Sequence, residues 1–243
     1  DKYKLITEIK THFPADIGRL IEPFVGGGSV FLNVEAKSYL LNDIDSHVMA
    51  IHQMLCSYVN RSETFFHDFF ELIDNYHLSL SYRENTVPQE LKSAFPKTYF
   101  AKYNKTAYSL LRQDFNNGGK QNILQLYALL IYGFNRMLRF NKSGNFNLPV
   151  GDVDFNQNTY DALVDYFRLL EYKNVEWHNE DFRTFLQNID YQNNDLVYLD
   201  PPYLITFSEY NKLWNSDTEK EMLNLLDELN LRNVHFAISN VTH

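Results

Sequence analysis

The sequence has little of several features that mark particular classes of protein. Its 243 residues include one cysteine, Cys56, so an internal disulfide is excluded. The helical run MAIHQMLCSYV around it favours a small buried hydrophobe over a nucleophile. No stretch approaches eighteen consecutive apolar residues, and the start, DKYKLITEIK, lacks the basic-then-apolar pattern of a signal peptide. We therefore expect no membrane partner, and a soluble intracellular protein.

The net charge of −9 argues at first against a polyanionic partner, but the charge is unevenly distributed. Residues 97–151 hold eight basic residues and one acid, Asp114, so this segment is strongly basic. The basic residues are Lys97, Lys102, Lys105, Arg112, Lys120, Arg136, Arg139 and Lys142. Affinity for phosphates depends on the charges at the interface, so the segment indicates local contact with phosphates. The alternative is a solvated helical face with chance asymmetry.

Hydrophobic periodicity predicts a β-α-β-α beginning, an interruption, and a return to the same rhythm. The predicted strands are Arg19–Glu22, Tyr39–Asn42, Val175–His178, Leu196–Leu199 and Val234–Ser239. The predicted helices are Tyr3–Thr11, a segment after Gly28, Ser46–Tyr58, Ser62–Tyr76, 98–113, 121–138, a segment from Tyr160 to Leu170, and Thr218–Leu229. Residues 78–97 show no clear period and are predicted to connect into something separate.

The middle of the chain therefore reads as an insert in a sheet domain. We predict a catalytic domain from residues 1–58 and 152–243, and a mostly helical insert at 59–151. In the insert, Lys142-Ser143-Gly144-Asn145 predicts the turn of a hairpin or an ordered loop. The predicted fold class is α/β, with a doubly wound, Rossmann-like sheet.

The first site signal is GRLIEPFVGGGSVFLN, in which a strand runs into Glu22-Pro23-Phe24 and three glycines from Gly26. Glycines allow a ligand to approach the backbone closely. The run lacks a dinucleotide fingerprint and a P-loop lysine, so phosphate binding is not favoured. Asp43 ends the next strand, where a carboxylate can accept hydrogen bonds from the ribose of a nucleoside ligand. The alternative is that Asp43 caps the helix beginning near Ser46.

Two further strand ends carry polar groups. In EWHNEDFRTF, Asp181 and Phe182 could contact an adenine moiety, or Asp181 could simply be a helix N-cap. In LVYLDPPYLITF, Asp200 ends an apolar strand, and the following prolines leave the Pro201 carbonyl as a second acceptor. Two adjacent acceptors suit a planar amine with two protons, such as N6 of adenine, and Tyr203 offers a face for stacking a base. A tight turn with a buried tyrosine is the alternative.

The combination of EPFVGGGSVFLN and DPPY, with a basic insert between them, resembles the Dam-type DNA adenine-N6 methyltransferases (the alpha, or D12, class). These enzymes use S-adenosyl-L-methionine. The resemblance runs essentially end to end and is closest to the T-even phage members, in DPPYLIT, SEYNKLW, EKEMLNLLDELN, FAISNV and GFNRMLRFNKSGNF. It implies a site-specific methyltransferase that acts on double-stranded DNA in the cytoplasm of a bacterial or phage-infected host cell.

The resemblance also implies roles for individual residues. The residues that match cofactor-binding motifs are Lys2, Glu22, Phe24, Gly26, Asp43, Asp181, Phe182 and Asp200. Asp200, Pro201 and Tyr203 match the catalytic motif. Phe134 and Asn135 match a pair that wedges into the duplex, whereas Met137 and Arg139 match residues that touch base edges. Packing for Phe134 and phosphate contact for Arg139 are the alternatives.

The implied reaction flips an adenine, most simply in GATC, out of the duplex and methylates its N6 with neither a metal nor a covalent intermediate. Two departures from the family pattern stand out. Asp152 follows Pro149-Val150-Gly151, where members that methylate GATC commonly carry a basic residue. The chain also starts at Asp1 without a methionine and stops just after a strand-like run, so it is expected to be trimmed at both ends.

Two other readings remain open. The same acceptor pair could serve methylation of an RNA adenine or of a protein amide. Alternatively, the chain could be a DNA-binding homologue without turnover, although such a module would have no need of Asp43 and Asp200.

Overall fold

The computed structural model describes residues 5–84, 86–202 and 214–240. Two of the predicted site residues, Lys2 and Tyr203, lie outside these ranges. The chain divides into two compact units, one from Asp1–Met49 with Tyr172–His243 and the other from Ala50–Glu171. The predicted insert, 59–151, falls inside the range of the second unit, and its boundaries stay a prediction.

Within the described residues, the first unit contains one sheet of five parallel strands. The strands are β1 (Arg19–Glu22), β2 (Ser38–Asn42), β3 (Val175–His178), β4 (Asp195–Leu199) and β5 (His235–Ile238). Their spatial order is β3-β2-β1-β4-β5, so the winding reverses between β1 and β4. In doubly wound sheets, ligands bind outside the carboxyl ends of the strands at that reversal. The predicted α/β, Rossmann-like fold is confirmed.

A buried ion pair joins β1 and β4 at the ends where these two strands begin. Arg19 and Asp195 are paired in the register of the two strands. Arg19 Nε donates to Asp195 Oδ1 over 2.9 Å, and Arg19 Nη2 donates to Asp195 Oδ2 over 2.6 Å. This bond to Asp195 raises the pKa of Arg19 above its usual value. The pair forms when Arg19 stands opposite Asp195. It therefore helps to fix the register of β1 and β4, and with it which residues lie side by side at the carboxyl ends of these strands.

Nine α-helices are present among the described residues. They are α1 (Ile6–Thr11), α2 (Ser46–Ser57), α3 (Ser62–Tyr76), α4 (Gln89–Ala94), α5 (Tyr99–Asn117), α6 (Ile123–Tyr132), α7 (Gln157–Leu170), α8 (Phe182–Gln187) and α9 (Ser216–Leu231). The second unit is packed around aromatic side chains of α3. Phe65 and Phe69 are fully buried there and stack on each other with ring centroids 5.7 Å apart. None of the helices described is long and apolar enough to cross a membrane.

The helix predicted after Gly28 is wrong, because this segment forms successive turns. Leu32 N donates to Gly28 O over 3.2 Å, which begins a helical turn. At Asn33, however, the backbone N–H bonds to Val30 O, and the side-chain Nδ2 takes Ser29 O over 2.8 Å. The side-chain amide of Asn33 thus takes Ser29 O, the acceptor that Asn33 N would use in a continuing α-helix. The helix therefore does not continue.

The helix predicted over 121–138 ends at Tyr132, six residues early. Gly133 is extended and forms an antiparallel bridge with Val150. A Cβ at Gly133 would lie 2.6 Å from Leu129 O and 2.6 Å from Leu148 Cδ2, so the close approach requires glycine. The chain then enters the predicted hairpin, where Phe140 and Phe146 form a second antiparallel bridge.

Candidate functional site

Two carboxyl groups lie at the ends of the neighbouring strands β1 and β4. Glu22 is the last residue of β1 and is 2% exposed, and Asp200 directly follows β4. Glu22 Oε1 is buried and has no hydrogen-bond partner among the described residues. Burial raises the pKa of Glu22 well above its usual range, and the nearby charge of Asp200 raises it further. An unpaired buried carboxyl oxygen beside a second acid suits a cationic ligand.

The glycine loop after β1 is hydrogen-bonded to Asp43, the residue that directly follows β2. Gly26 has a left-handed φ of +48° and donates its N–H to Asp43 Oδ2 over 3.0 Å. A Cβ built on Gly26 or Gly27 would meet no atom within 4 Å, so the loop borders open space. Gly28 differs, because its φ is +80° and a Cβ there would lie 2.3 Å from the Phe31 ring. The loop thus leaves space for a ligand against the backbone of Gly26 and Gly27, a few residues after Glu22.

Asp43 does not cap the following helix. Its Oδ1 accepts from Asp45 N over 2.9 Å, while Asp45 Oδ1 accepts from His47 N over 2.9 Å at the start of α2. Asp45 therefore occupies the capping position. Burial raises the pKa of Asp43, and the hydrogen bonds from the backbone of Asp45 and Gly26 oppose that rise.

Asn42 was not among the predicted site residues, although it connects two loops that border the site. Its side chain is fully buried, and its Nδ2 donates to Pro23 O and to Glu180 O, each over 3.0 Å. Its Oδ1 accepts from Glu180 N over 2.8 Å. The Asn42 amide thus ties the segment after β1 to the segment after β3. A buried asparagine at a strand end, directly before Asp43, is the signal that could have identified it.

Three aromatic rings pack together beside these loops. The ring centroid of Phe24 lies 5.3 Å from that of Phe182 and 5.6 Å from that of Trp214. Phe182 and Trp214 are 5.5 Å apart. Phe24 and Phe182, which the motifs predicted as cofactor contacts, are therefore neighbours, and Trp214 is an addition that local periodicity could not predict.

Asp181 is the N-cap of α8, as the alternative interpretation held. Its Oδ1 accepts from Arg183 N over 2.9 Å, and its two oxygens accept from Arg183 Nε and Nη2, each over 2.7 Å. The bond to Arg183 lowers the pKa of Asp181. Arg183 also pairs with Glu221. A cofactor contact by Asp181 stays a prediction.

The second unit carries the four residues predicted to contact DNA, and they lie at the start of the hairpin. Phe134 is 52% exposed, an unusual position for a large aromatic ring. Asn135 and Arg136 follow it with left-handed φ values of 54° and 50°. Such backbone is strained for residues other than glycine, and strain of this kind is concentrated at functional sites.

The predicted turn of the hairpin is confirmed by its hydrogen bonds. Asn141 Oδ1 accepts from Ser143 N and Asn145 N, each over 3.0 Å, and Asn141 N donates to Asn145 O. Met137 and Arg139, on the outgoing strand of the hairpin, are partly exposed. Arg139 is not extended freely into solvent, because its guanidinium donates to Asn147 on the returning strand.

Asp152, which departs from the family pattern, has a structural partner. Its Oδ1 accepts from Ala101 N over 3.1 Å in the first turn of α5. An acid at this position satisfies a helix N–H that otherwise has no acceptor, and it is favoured by the positive end of the helix dipole. Asp152 therefore caps the N-terminus of α5, although it lies about fifty residues further along the chain.

Comparison with known proteins agrees with this geometry. The family model described as D12 class N6 adenine-specific DNA methyltransferase matches residues 1–243. The chain is 32% identical to the modification methylase StsI of Streptococcus sanguinis and 33% identical to the type II methyltransferase M.FokI of Planomicrobium okeanokoites, over 99% of its own length and 34% of theirs. It is 28% identical to the DNA adenine methylase of Escherichia coli (strain K12), over 83% of this chain and 62% of that protein.

The chain thus spans about a third of the length of the first two relatives. The match to the family model covers the strand ends, the glycine loop and the hairpin alike. The chain belongs to the D12 class N6 adenine-specific DNA methyltransferase family.

Proposed function

We propose that this chain provides the activity of a site-specific DNA methyltransferase, which transfers a methyl group from S-adenosyl-L-methionine to N6 of an adenine flipped out of double-stranded DNA. The observation that carries the proposal is the pair Glu22 and Asp200, which end neighbouring strands at the winding reversal beside an open glycine loop. Family membership supplies the class of reaction.

The site suits this cofactor in its charge. S-adenosyl-L-methionine carries a sulfonium and an ammonium group, and the crevice offers two acids, one with an unpaired buried oxygen. Glu22 Oε1 would accept from the ammonium group, since binding a cation offsets the cost of burying an ionised carboxyl. Asp43 would accept from the ribose hydroxyls, and Phe24 and Phe182 would pack against the adenine ring. Lys2 matches the family's first cofactor motif and is proposed as a further contact.

The chain's own groups would position and activate the target base. Asp200 and the Pro201 carbonyl would accept hydrogen bonds from the two N6 protons, which draws the nitrogen lone pair out of conjugation with the ring. Tyr203 would stack on the flipped adenine and hold N6 in line with the methyl group. When bound, the cofactor supplies an electrophilic methyl group on sulfur. The target nitrogen would take this methyl group, the rest of the cofactor would leave as the neutral thioether S-adenosyl-L-homocysteine, and Asp200 would take up the surplus N6 proton and pass it to solvent.

The hairpin would bind and read the duplex. The exposed ring of Phe134, with Asn135 after it, would fill the gap left by the flipped base. Met137 and Arg139 would contact base edges, and an arginine suits O6 and N7 of guanine. We propose GATC as the target and the T-even phage enzymes as near relatives, on the sequence runs that these enzymes resemble. The protein would act in the cytoplasm of a bacterial or phage-infected cell.

The test is to incubate the protein with S-adenosyl-L-methionine labelled in the methyl group and, in parallel reactions, with a duplex of mixed sequence, with RNA and with a protein extract. N6-methyladenine in the DNA is then mapped by sequencing. Asp200→Ala protein, purified in parallel, controls for host methyltransferases. Methylation confined to GATC supports the whole proposal, and methylation of adenine in another sequence supports the reaction but overturns the target. Label in RNA or in protein, with none in DNA, overturns the substrate. Cofactor binding without transfer to any of these overturns the enzyme and favours a binding module.

A further inference from the structure

Among the described residues, the hydrogen bonds of the Arg139 guanidinium both go to Asn147. Arg139 Nε donates to Asn147 Oδ1 over 2.9 Å, and Arg139 Nη2 donates to Asn147 O over 2.7 Å. Both bonds use the side of the guanidinium formed by Nε and Nη2. The opposite end, formed by Nη1 and Nη2, keeps N–H groups that these two bonds do not use. That end is able to donate two parallel hydrogen bonds to a base edge.

Asn147 is itself fixed in place by its neighbours in the chain. Its N–H donates to Arg139 O over 3.0 Å, which pairs the two strands of the hairpin. The residues on either side, Phe146 and Leu148, are 1% and 2% exposed. Both neighbours of Asn147 are thus buried, and its own backbone and side chain contact Arg139 on the outgoing strand.

Two side chains of α5 hold the outer edge of the returning strand. Asn116 Nδ2 donates to Phe146 O over 3.0 Å, and Phe146 N donates to Asn116 Oδ1 over 2.8 Å. One helical turn earlier, Arg112 Nη1 donates to Leu148 O over 3.1 Å. The two side chains satisfy backbone groups that another strand would otherwise have to pair. The strand that carries Asn147 is therefore anchored to the long helix α5.

We propose that Asn147 is a specificity-determining residue that acts through Arg139. It does not touch DNA, and it orients the guanidinium so that the Nη1–Nη2 end meets one particular base edge. A long arginine side chain that is already ordered loses less rotamer entropy on binding, and it reaches fewer wrong acceptors than a mobile one. This inference rests on the proposed function, because it assumes that the hairpin reads DNA.

The first experiment measures binding selectivity, which does not require methyl transfer. The affinity of the protein for its preferred duplex is compared with its affinity for duplexes changed at one base pair at a time. Asn147→Ala should lose about tenfold of the discrimination at one base pair, because a bidentate arginine contact accounts for roughly that factor or more. Affinity for unrelated duplex should change by less than about twofold, since phosphate contacts are untouched.

Two variants serve as controls. Asn147→Asp keeps an acceptor in the same place and should restore most of the discrimination. Asn145→Ala, two residues away on the same strand, should leave it unchanged, because the hydrogen bonds of Asn145 described above use its backbone. Equal selectivity in wild type and Asn147→Ala overturns the inference.

A double-mutant cycle separates positioning from a merely structural role. If Asn147 acts through Arg139, then Asn147→Ala should have no further effect on discrimination in protein that already carries Arg139→Ala. Additive losses would overturn the inference. A wild-type protein that binds selectively without transferring methyl groups defeats the proposed function alone, whereas one that binds every duplex equally defeats the inference.

Discussion

The two units place their functional side chains by different physical means. In the first unit, Glu22, Asp43 and Asp200 follow the ends of parallel strands, and strand register alone brings them to one edge of a sheet. In the second unit, Arg139 owes its orientation to a side chain eight residues away and, through it, to a helix. The first site is acidic, with Glu22 buried and Asp43 and Asp200 partly buried, whereas the second is basic and at least partly exposed. Under the proposed function, chemistry would belong to the sheet and recognition to a segment fixed by individual hydrogen bonds.

Asp200→Ala tests whether the chemistry belongs to the first unit alone. We expect methyl transfer to fall on the order of a thousandfold or more, because one of the two acceptors of the N6 protons is lost. Binding of S-adenosyl-L-methionine and of duplex should persist. Single-turnover transfer, isothermal titration and a DNA-binding assay give the three values. A variant that keeps a tenth of the wild-type rate would contradict the role of Asp200.

Asp195→Ala tests how strongly the ion pair with Arg19 stabilises the contact between β1 and β4, the strands that carry Glu22 and Asp200 at their carboxyl ends. Asp195 is 1% exposed, and its loss leaves the partly buried Arg19 without its carboxylate. We expect the free energy of unfolding to fall by about 3 kcal/mol, measured by urea denaturation. The control is Lys37→Ala, which removes an exposed pair with Asp16 (Nζ–Oδ1 3.8 Å) and should cost under about 1 kcal/mol. Equal losses in the two variants would mean that the buried pair has no special role.

Glu22→Gln tests whether the first unit gives up stability for its ligand. In the folded protein the raised pKa lets Glu22 keep a proton that the unfolded chain releases near pH 4.3, the ordinary value for glutamate. The free energy of unfolding should therefore fall as pH rises from that value through the raised pKa, and the amide should remove this slope. At neutral pH the variant should be more stable but bind S-adenosyl-L-methionine roughly tenfold more weakly or worse.

Denaturation at several pH values, together with cofactor titration, measures both effects of Glu22→Gln. The amide can still accept from the backbone of Phe31, as the carboxyl does, so the variant changes charge with little change of shape. If wild type and variant show the same dependence of stability on pH, Glu22 titrates normally and the charge argument fails.

Asp152→Ala tests whether the acid that directly follows the basic segment 97–151 serves structure or weakens DNA binding. Since Asp152 accepts from Ala101 N, its loss should lower the free energy of unfolding by about 1 kcal/mol, the usual effect of removing a helix cap. Asp165→Ala removes an acid from an exposed pair with Arg168 and should have a smaller effect. A gain in DNA affinity without loss of stability would favour the charge interpretation.

The parts of the fold that sequence predicts well are those set by local pattern. The strands Arg19–Glu22 and Val175–His178 were predicted at their observed bounds. Glu22, Asp43 and Asp200 followed from their places at strand ends, since a parallel sheet brings such ends to one edge.

What sequence did not predict depends on contacts between distant segments. The end of α6 is set by Gly133 bridging to Val150, and no periodicity within 121–138 contains that partner. The turns after Gly28 depend on a side-chain amide that replaces a backbone donor at Asn33. The Asn147 contact to Arg139 likewise belongs to the hairpin and not to either strand alone. Contacts of this kind, including hydrogen bonds from side chains to the backbone, set where an element ends and how a side chain is oriented. Residue types alone do not reveal them.

The strand order also constrains when the site can form during synthesis. Strand β1 lies between β2, which begins 19 residues after Arg19, and β4, whose partner Asp195 is 176 residues away. Contacts of such sequence separation form late, because a long loop must close first. The residues of the second unit, Ala50–Glu171, are synthesised before those of β3 and β4. The hairpin can therefore be in place while the crevice between β1 and β4 is still incomplete.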